Sequence, residues 1–429
     1  MTRAAWQRTL AAVLPLSGIV LTLVGLFLST DGSVVREPPE PGRAVVFIPG
    51  AIAPARAVAS GPTADRRVRT GAGGRDEVLT CGVWLPAEAD GKPAADAVDA
   101  WTRSQQAEVE SVVLRRLEAS DDPRERAAAL RQRMWSARAR AMAAYVATLE
   151  APAGSAPTSA TAMSAGAVSA LPDPAQEALL RMALVTREPE IYAMALASCR
   201  WAGPPRVVTK PAACSLLSAA QWARLDGDNG APWLARADEA AAEGDRAAES
   251  EALWRAGRAS RHESGLGSSV RHLLRHAPDD EAHAMGVFAA TVQALNMSIS
   301  EETSAAQTLL VSCSQTALSD PQRRDVCAAL AEHLVEKGGT LRDLAIGMGI
   351  GRRAGWSPER LAALGAAQTA LRDATPLPVS DDRKDPSACG FVQAMVAHVR
   401  RLGRLGEVGA LRSELAARER SPLPGQPLR

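Results

Sequence analysis

Histidine is the residue type that first suggests chemistry in this sequence. Four of the six histidines lie within residues 262–283, with acidic residues among them: His262, His272, His276 and His283. His272 and His276 are four residues apart, which puts two imidazoles on one helix face at a spacing that zinc sites use. With His283 or Glu281 as a third ligand, the stretch predicts a metal site formed by His272, His276 and His283. A metal-dependent enzyme or metal binder using residues 262–283 is therefore one hypothesis for the function.

Neighbouring residues favour a different interpretation of the same stretch. Leu273 stands where a zinc protease of the H-E-x-x-H type has its general base. Arg271 and Arg275 would repel a cation, so a solvated basic helix is the alternative. The sequence has no G-x-S-x-G or S-x-x-K hydrolase motif and no Lys-containing phosphate loop. We therefore expect no cofactor, no catalytic residue that can be named, and a binding protein in preference to an enzyme.

The cysteines suggest structural disulfides. There are six candidates: Cys81, Cys199, Cys214, Cys313, Cys327 and Cys389. Cys313 and Cys327 each lie seven residues from Asp320, which opens a turn between two helical segments. At about 1.5 Å per residue, both would stand roughly 10 Å from that turn in a helical hairpin. Such a bridge closes a loop of about 15 residues and stabilises by about 3 kcal/mol in the chain-entropy model.

Cys199 and Cys214 flank the break at residues 203–206, and Cys81 with Cys389 is left by elimination. The alternative is that all six are buried thiols, which are common in protein cores. No C-x-x-C pair occurs, which argues against a redox centre or a zinc ribbon. Disulfides would indicate an oxidising compartment.

An apolar segment near the N-terminus predicts a membrane anchor. Residues 10–28 carry no charge and are long enough to cross the roughly 30 Å hydrocarbon core as a helix. Arg3 and Arg8 precede the segment and Asp31 follows it, which places the rest of the chain outside the cytoplasm. We expect a single-pass, uncleaved signal anchor in the inner membrane with the bulk of the chain periplasmic. A cleaved signal peptide and a buried soluble helix are the alternatives.

Composition favours helices and excludes one class of partner. Aromatic residues make up only 3% of the chain, and the apolar residues are mainly Ala and Leu, which are good helix formers. The formal net charge is +1, with both signs interspersed, so the chain lacks the basic surface of a nucleic-acid-binding protein. Helix starts are indicated by a capping-box pattern at Ser298 and Glu301 and by prolines suited to a first turn, namely Pro174, Pro189, Pro232, Pro321 and Pro358.

These signals predict an all-α fold of stacked antiparallel helical hairpins, repeat-like in the manner of an α-solenoid, behind one N-terminal transmembrane helix. No alternating pattern is long enough to predict a sheet. The expected division of the chain is a cytoplasmic tip and anchor (1–30), a Pro/Gly-rich linker (31–96), a helical hairpin (97–150), a low-complexity linker (151–171), a repeat-like helical domain (172–418) and a flexible tail (419–429).

One segment carries the strongest pattern. In residues 222–260, Trp233 opens a helix, Gly244 occupies the turn, and the small residues Ala252 and Ala256 lie in a second helix. The segment resembles a tetratricopeptide or Sel1-like repeat over about 35 residues, although Arg236 and the residues after it depart from that pattern. The resemblance implies a stacked-hairpin scaffold that binds a protein or peptide. We therefore expect a membrane-anchored scaffold with a protein partner in the envelope, while a purely structural protein is a further alternative.

Overall fold

The structure is a computed structural model that describes residues 68–420, apart from 72–73, 81–82, 90–92, 151–172, 201–210, 264 and 375–388. The described residues are mostly helical, with one small sheet. They fall into two compact units. The first contains the described residues up to Trp101 and the start of the last helix, and the second contains the described residues from Thr102 to Ala374 and from Val392 onward.

Helices form almost all of the second unit, and the first and the last of them begin in the first unit. In chain order they are α1 Ala95–Glu118, α2 Pro123–Glu150, α3 Pro174–Val185, α4 Pro189–Arg200, α5 Ala219–Leu225, α6 Gly230–Glu243, α7 Arg246–Ala256, α8 Leu266–His276, α9 Ala284–Ser312, α10 Pro321–Lys337, α11 Leu341–Arg353, α12 Pro358–Asp373 and α13 Cys389–Arg420. Short 3₁₀ turns stand at Ala212–Leu216, Glu281–His283 and Ala317–Ser319.

A three-stranded antiparallel sheet in the first unit corrects the all-α prediction. Its strands, in spatial order, are β1 Val68–Thr70, β2 Asp76–Thr80 and β3 Val83–Pro86. Val78 pairs with Leu85 across β2 and β3, and both side chains are buried. The strands are only three to five residues long, and β2 does not alternate between apolar and polar residues, so the period of two that identifies a strand in a sequence is absent. The sheet lies within the stretch predicted to be a linker.

Several helices begin where the sequence predicts. Asp173, Asp320 and Ser357 are N-caps whose side chains accept a backbone N–H, and each is followed by a proline in the first turn. The capping box predicted at Ser298 is wrong. Ser298 is buried inside the 29-residue helix α9, which begins at Ala284. The Ser-x-x-Glu pattern therefore lies within a continuous helix and does not start one.

Two helical hairpins share one hydrophobic core. α6 packs on α7 and α10 packs on α11, while α7 also contacts α10. Gly244 ends α6 in the left-handed region at φ 74°, a conformation that suits glycine at a helix C-terminus. The shared core consists of Leu234, Ala237, Ala252, Leu253, Ala256, Leu309, Cys313, Leu318, Cys327, Leu330, Ala331, Leu334 and Ile350. The structure thus confirms a hairpin at the repeat-like segment.

Two of the longer helices, α2 and α9, each contact several others in the second unit. α2 contacts α3, α4 and α8, and α9 contacts α6, α8 and α4. α13 is interrupted at Gly406, where φ is 71° and ψ is 174°. The break at Gly406 divides α13 into an N-terminal part and the segment 407–420.

The predicted anchor at residues 10–28 lies outside the described residues. Within the described part of the chain, no helix combines the length and the hydrophobicity required to cross a bilayer.

Candidate functional site

The face of α8 that carries His272 and His276 packs against the neighbouring helices α4 and α2. His272 is buried, and its Nε2 lies 3.0 Å from Oε1 of Glu190 on α4. His276 Nε2 lies 2.9 Å from Oε2 of Glu125 on α2. Since 3.6 residues make one turn, the two imidazoles stand on one face of α8 as predicted, but each contacts a carboxylate on a different neighbouring helix.

Glu125 is the centre of one of these contacts. Its carboxylate also accepts a hydrogen bond from Arg275 Nη1 at 2.6 Å. Burial of Glu125 opposes its ionisation, but hydrogen bonds from Ser120, Arg275 and His276 outweigh burial and lower its pKa to about 2. Glu125 is therefore an ionised carboxylate that fixes the C-terminal end of α8 to the first turn of α2.

Glu190 pairs with His272, and His283 pairs with two other carboxylates. Burial opposes ionisation of Glu190, but the hydrogen bond and charge of His272 and the nearby arginines lower its pKa. His283 Nδ1 lies 2.6 Å from Asp280 Oδ1, and its Nε2 lies 3.3 Å from Glu108 Oε1. The hydrogen bond to Asp280 is the main reason that the pKa of His283 is raised.

The predicted ligands His272, His276 and His283 thus have separate carboxylate partners. Across the described ranges, no group of three or more His, Cys, Asp or Glu side chains is arranged to hold a metal ion. The side chain of Glu281, the other predicted ligand, lies outside the description. Metal binding by these residues remains a prediction, and the geometry assigns His272 and His276 a structural contact.

A second cluster of titratable groups lies at the turn between α10 and α11. His262 follows α7, His333 is on α10, and both are buried. His333 Nε2 lies 3.3 Å from His262 Nδ1, and the two rings meet edge to face at 5.3 Å between centroids. A β-carbon at Gly230 would lie 2.5 Å from His333 Nε2 and 2.9 Å from His262 Nδ1. Only glycine at the start of α6 leaves room for this pair.

Two carboxyl groups complete this cluster. Asp343 Oδ1 lies 3.9 Å from His262 Nε2. Asp343 and Thr340 also form a capping box at the N-terminus of α11. Glu407 follows the break in α13, and its Oε2 accepts a hydrogen bond from the Leu341 N–H at 2.9 Å.

Burial shifts the pKa values in this cluster toward the neutral forms. It lowers the pKa of His262, against the opposing effect of Asp343. Burial and the nearby charge of His262 lower the pKa of His333 to about 4. Burial of Glu407, reinforced by Asp343, raises its pKa to about 7 in spite of the bond from Leu341.

Sequence reasoning missed most of this cluster. His262 belongs to the histidine-rich stretch and Thr340-x-x-Asp343 is a capping signal, but neither feature indicates that His262 and Asp343 lie together. His333 and Glu407 are 74 positions apart in the chain (407 minus 333), and neither stands in a local motif. Glu407 reaches the N-terminus of α11 because α13 folds back onto the α10–α11 turn.

The predicted cysteine pairs lie together in the structure. Cys199 and Cys214 form a disulfide with their Cα atoms 5.7 Å apart, and Cys313 and Cys327 form one at 5.9 Å. The latter pair is fully buried in the core shared by the two hairpins. The side chains of Cys81 and Cys389 lie outside the description, so their pairing remains a prediction.

The tryptophans of the repeat-like segment differ in exposure. Trp222 is buried, and Trp233 is partly buried and donates a hydrogen bond from Nε1 to the Gly227 carbonyl at 2.8 Å. Trp254 on α7 keeps 43% of its surface exposed, and the guanidinium of Arg258 lies 4.4 Å from its ring centroid. Trp254 therefore departs from the core position that its apolar helical face favours.

Comparison with models of known families, with curated proteins and with solved structures gives no match to this chain.

Proposed function

We propose that this chain is a membrane-anchored, extracytoplasmic helical scaffold that binds another protein of the cell envelope. The observation that supports it most directly is the core shared by the α6–α7 and α10–α11 hairpins. Hairpins that stack through a continuous core are the organisation of helical repeat proteins, which bind partners along an extended surface. On this proposal the two hairpins are units of an α-solenoid-like stack, with α8 and α9 between them in the chain.

The proposed compartment is supported by the sequence of the N-terminus and by the disulfides. Residues 10–28 provide an uncharged segment of membrane-spanning length behind Arg3 and Arg8. Disulfides are retained in the periplasm and are rare in the cytosol, and two cysteine pairs here lie at bonding distance. The chain on this proposal crosses the inner membrane once and has its helical units on the periplasmic side.

Trp254 and Arg258 are the best candidates for part of the binding surface. Tryptophan and arginine are enriched among the residues that dominate protein interfaces. The stacked Arg258 holds its guanidinium over the exposed ring of Trp254, so both are positioned before a partner arrives, which reduces the entropy lost on binding. We therefore propose the exposed side of α7 as a contact surface.

The compartment is tested by mass mapping of cysteine-containing peptides from membrane-fractionated cells, with and without reductant. We expect the Cys199–Cys214 and Cys313–Cys327 cross-links in the membrane fraction under non-reducing conditions. Free thiols in a soluble fraction would contradict both the anchor and the compartment.

The scaffold function is tested by crosslinking in intact envelopes followed by purification of the full chain. The variants are Trp254→Ala and, as a matched control, Val185→Ala at an apolar residue of α3 that is 85% exposed. We expect the native chain and the control to recover the same partner and Trp254→Ala to recover at least several-fold less. Failure of the native chain to recover any reproducible partner would contradict the proposal, and equal recovery by Trp254→Ala would exclude α7 from the surface.

A further inference from the structure

A surface cleft of about 360 Å³ lies between the start of α9 and the N-terminal part of α13, beside the loop 278–280. Clefts of this size hold small organic molecules. Four of the side chains that line it are apolar, namely Ala284, Val287, Val396 and Ala397. Three are arginines of α13, namely Arg400, Arg401 and Arg404. The cleft therefore offers an apolar surface and three guanidinium groups to one occupant.

The three arginines share one face of α13. Arg404 follows Arg401 by three positions and Arg400 by four, and both spacings place side chains side by side on a helix. Arg400 donates from Nη2 to the Pro278 carbonyl at 3.1 Å and pairs with Asp279. Arg401 pairs with Glu414. Two of the guanidinium groups are thus held in place before a ligand arrives, which reduces the entropy lost on binding.

Arg404 carries a positive charge that the described residues do not balance. The other acidic residue of the cleft, Asp280, is bonded to His283 at 2.6 Å. Arg404 is exposed and makes no hydrogen bond or ion pair with any residue that the structure describes. The carboxylates of the cleft are therefore engaged by other cations, and an occupant with one negative charge would balance the remaining one.

Arg401 also lacks part of its ordinary environment. Its Nε is buried and has no hydrogen-bond partner among the described residues, a state that costs free energy unless an ion or ligand compensates for it. Burial, and secondly the positive charge of Arg404, lower the pKa of Arg401. Arg404 is thus near enough to repel Arg401, and an anion beside both guanidinium groups would offset that repulsion.

We propose that the cleft between α9 and α13 binds a small organic monocarboxylate. The carboxylate is held by Arg401 and Arg404, because the planar fork of a guanidinium matches the two oxygens of a carboxylate. A short aliphatic chain lies against the apolar side chains of α9 and α13. The proposed site does not depend on the protein partner proposed above.

The first test is equilibrium dialysis of radiolabelled butyrate against the full-length chain in a non-ionic detergent. The variants are Arg404→Gln and, as a matched control, Arg412→Gln, which removes the same charge from an exposed residue beyond the break in α13. Because Arg404 has no partner in the described structure, its replacement leaves the native contacts intact. We expect Arg404→Gln to bind butyrate at least about 10-fold more weakly than the native chain and the control to bind it equally well.

A second pair of variants separates binding in the cleft from general attraction to the arginines. Ala397→Leu fills part of the cleft without changing any charge. Ala394→Leu, at an exposed position of α13 that does not line the cleft, is its matched control. We expect Ala397→Leu to weaken butyrate binding several-fold and Ala394→Leu to leave it unchanged. Equal binding by these two variants would overturn the proposal.

Two competitors test the chemistry of the ligand. Butylamine has the same chain with the opposite charge and should not displace butyrate. Dimethyl phosphate carries the single charge of a lipid phosphodiester. Stronger displacement by dimethyl phosphate than by unlabelled butyrate would overturn the carboxylate assignment in favour of a phosphodiester. Absence of butyrate binding to the native chain at up to about 10 mM, or equal binding by Arg404→Gln, would also overturn the proposal.

Discussion

Two glycines of α11 provide a direct test of how closely the hairpins pack. A β-carbon at Gly347 would lie 2.9 Å from the Ala331 carbonyl oxygen and 2.8 Å from Val335 Cγ2, both on α10. A β-carbon at Gly349 would have no neighbour within 4 Å. In both positions alanine gains about 1 kcal/mol from helix propensity. At Gly347 overpacking against a backbone oxygen costs about 1–3 kcal/mol.

We therefore expect Gly349→Ala to raise the free energy of unfolding by up to about 1 kcal/mol and Gly347→Ala to be less stable than Gly349→Ala by about 1–3 kcal/mol. The measurement is urea unfolding of the full chain, followed by circular dichroism, with the midpoints compared at equal slope. Because both variants have the same composition and lie on the same helix, their difference isolates the contact with α10. Equal stability of the two variants would refute the close approach of α10 and α11.

Further predictions concern the disulfide, the ionised carboxylates and the metal hypothesis. Replacing Cys313 and Cys327 with alanine removes a cross-link spanning 14 positions, which should lower the free energy of unfolding by about 3 kcal/mol; an unchanged urea midpoint would contradict this. The pKa of Glu125 falls from 4.5 to about 2 on folding, so the stability that its ionised form contributes is present above pH 4.5 and is lost toward pH 2. The urea midpoint of the native chain should therefore exceed that of Glu125→Gln above pH 4.5, and the difference should vanish as the pH falls to 2. Glu249 is fully buried and pairs with Arg246 and Arg323. Glu249→Ala should lower the free energy of unfolding by about 3–5 kcal/mol, and a loss below about 1 kcal/mol would mean that these ion pairs are exposed to solvent. Elemental analysis of the purified native chain should find no stoichiometric metal, whereas zinc that is lost in His272→Ala would support the metal hypothesis.

Features that depend on nearby residues were predictable from the sequence. The starts of α3, α10 and α12 follow from an N-cap residue before a proline, which acts within one turn. The Cys313–Cys327 pair follows from symmetry about a helical turn, since equal separations from Asp320 bring the two residues level. Cys199 and Cys214 follow from their positions on either side of one chain break. The bounds of the α6–α7 hairpin were readable because Asn229, Gly244 and Asp245 each satisfy backbone groups at a helix end.

Features that depend on distant residues were not predictable. The sheet consists of strands too short to carry a period, and it was missed. The cluster of His262, His333, Asp343 and Glu407 draws on four separate segments, and no residue type in it signals the others. Glu407 in particular has an ordinary sequence context, and its raised pKa comes from where the break at Gly406 places it.

The histidines of α8 show how one spacing can serve two different kinds of contact. A separation of four residues places two imidazoles side by side on a helix, and this meets the geometric requirement for two ligands of one metal ion. The same separation also lets each ring reach a different helix when that face lies against two neighbours, as α8 does with α2 and α4. What distinguishes the outcomes is the partner of each ring. Glu125 and Glu190 are already ionised and bound to the two histidines and to arginines, so a metal ion at this face would have to displace ion pairs that fix α8 in place.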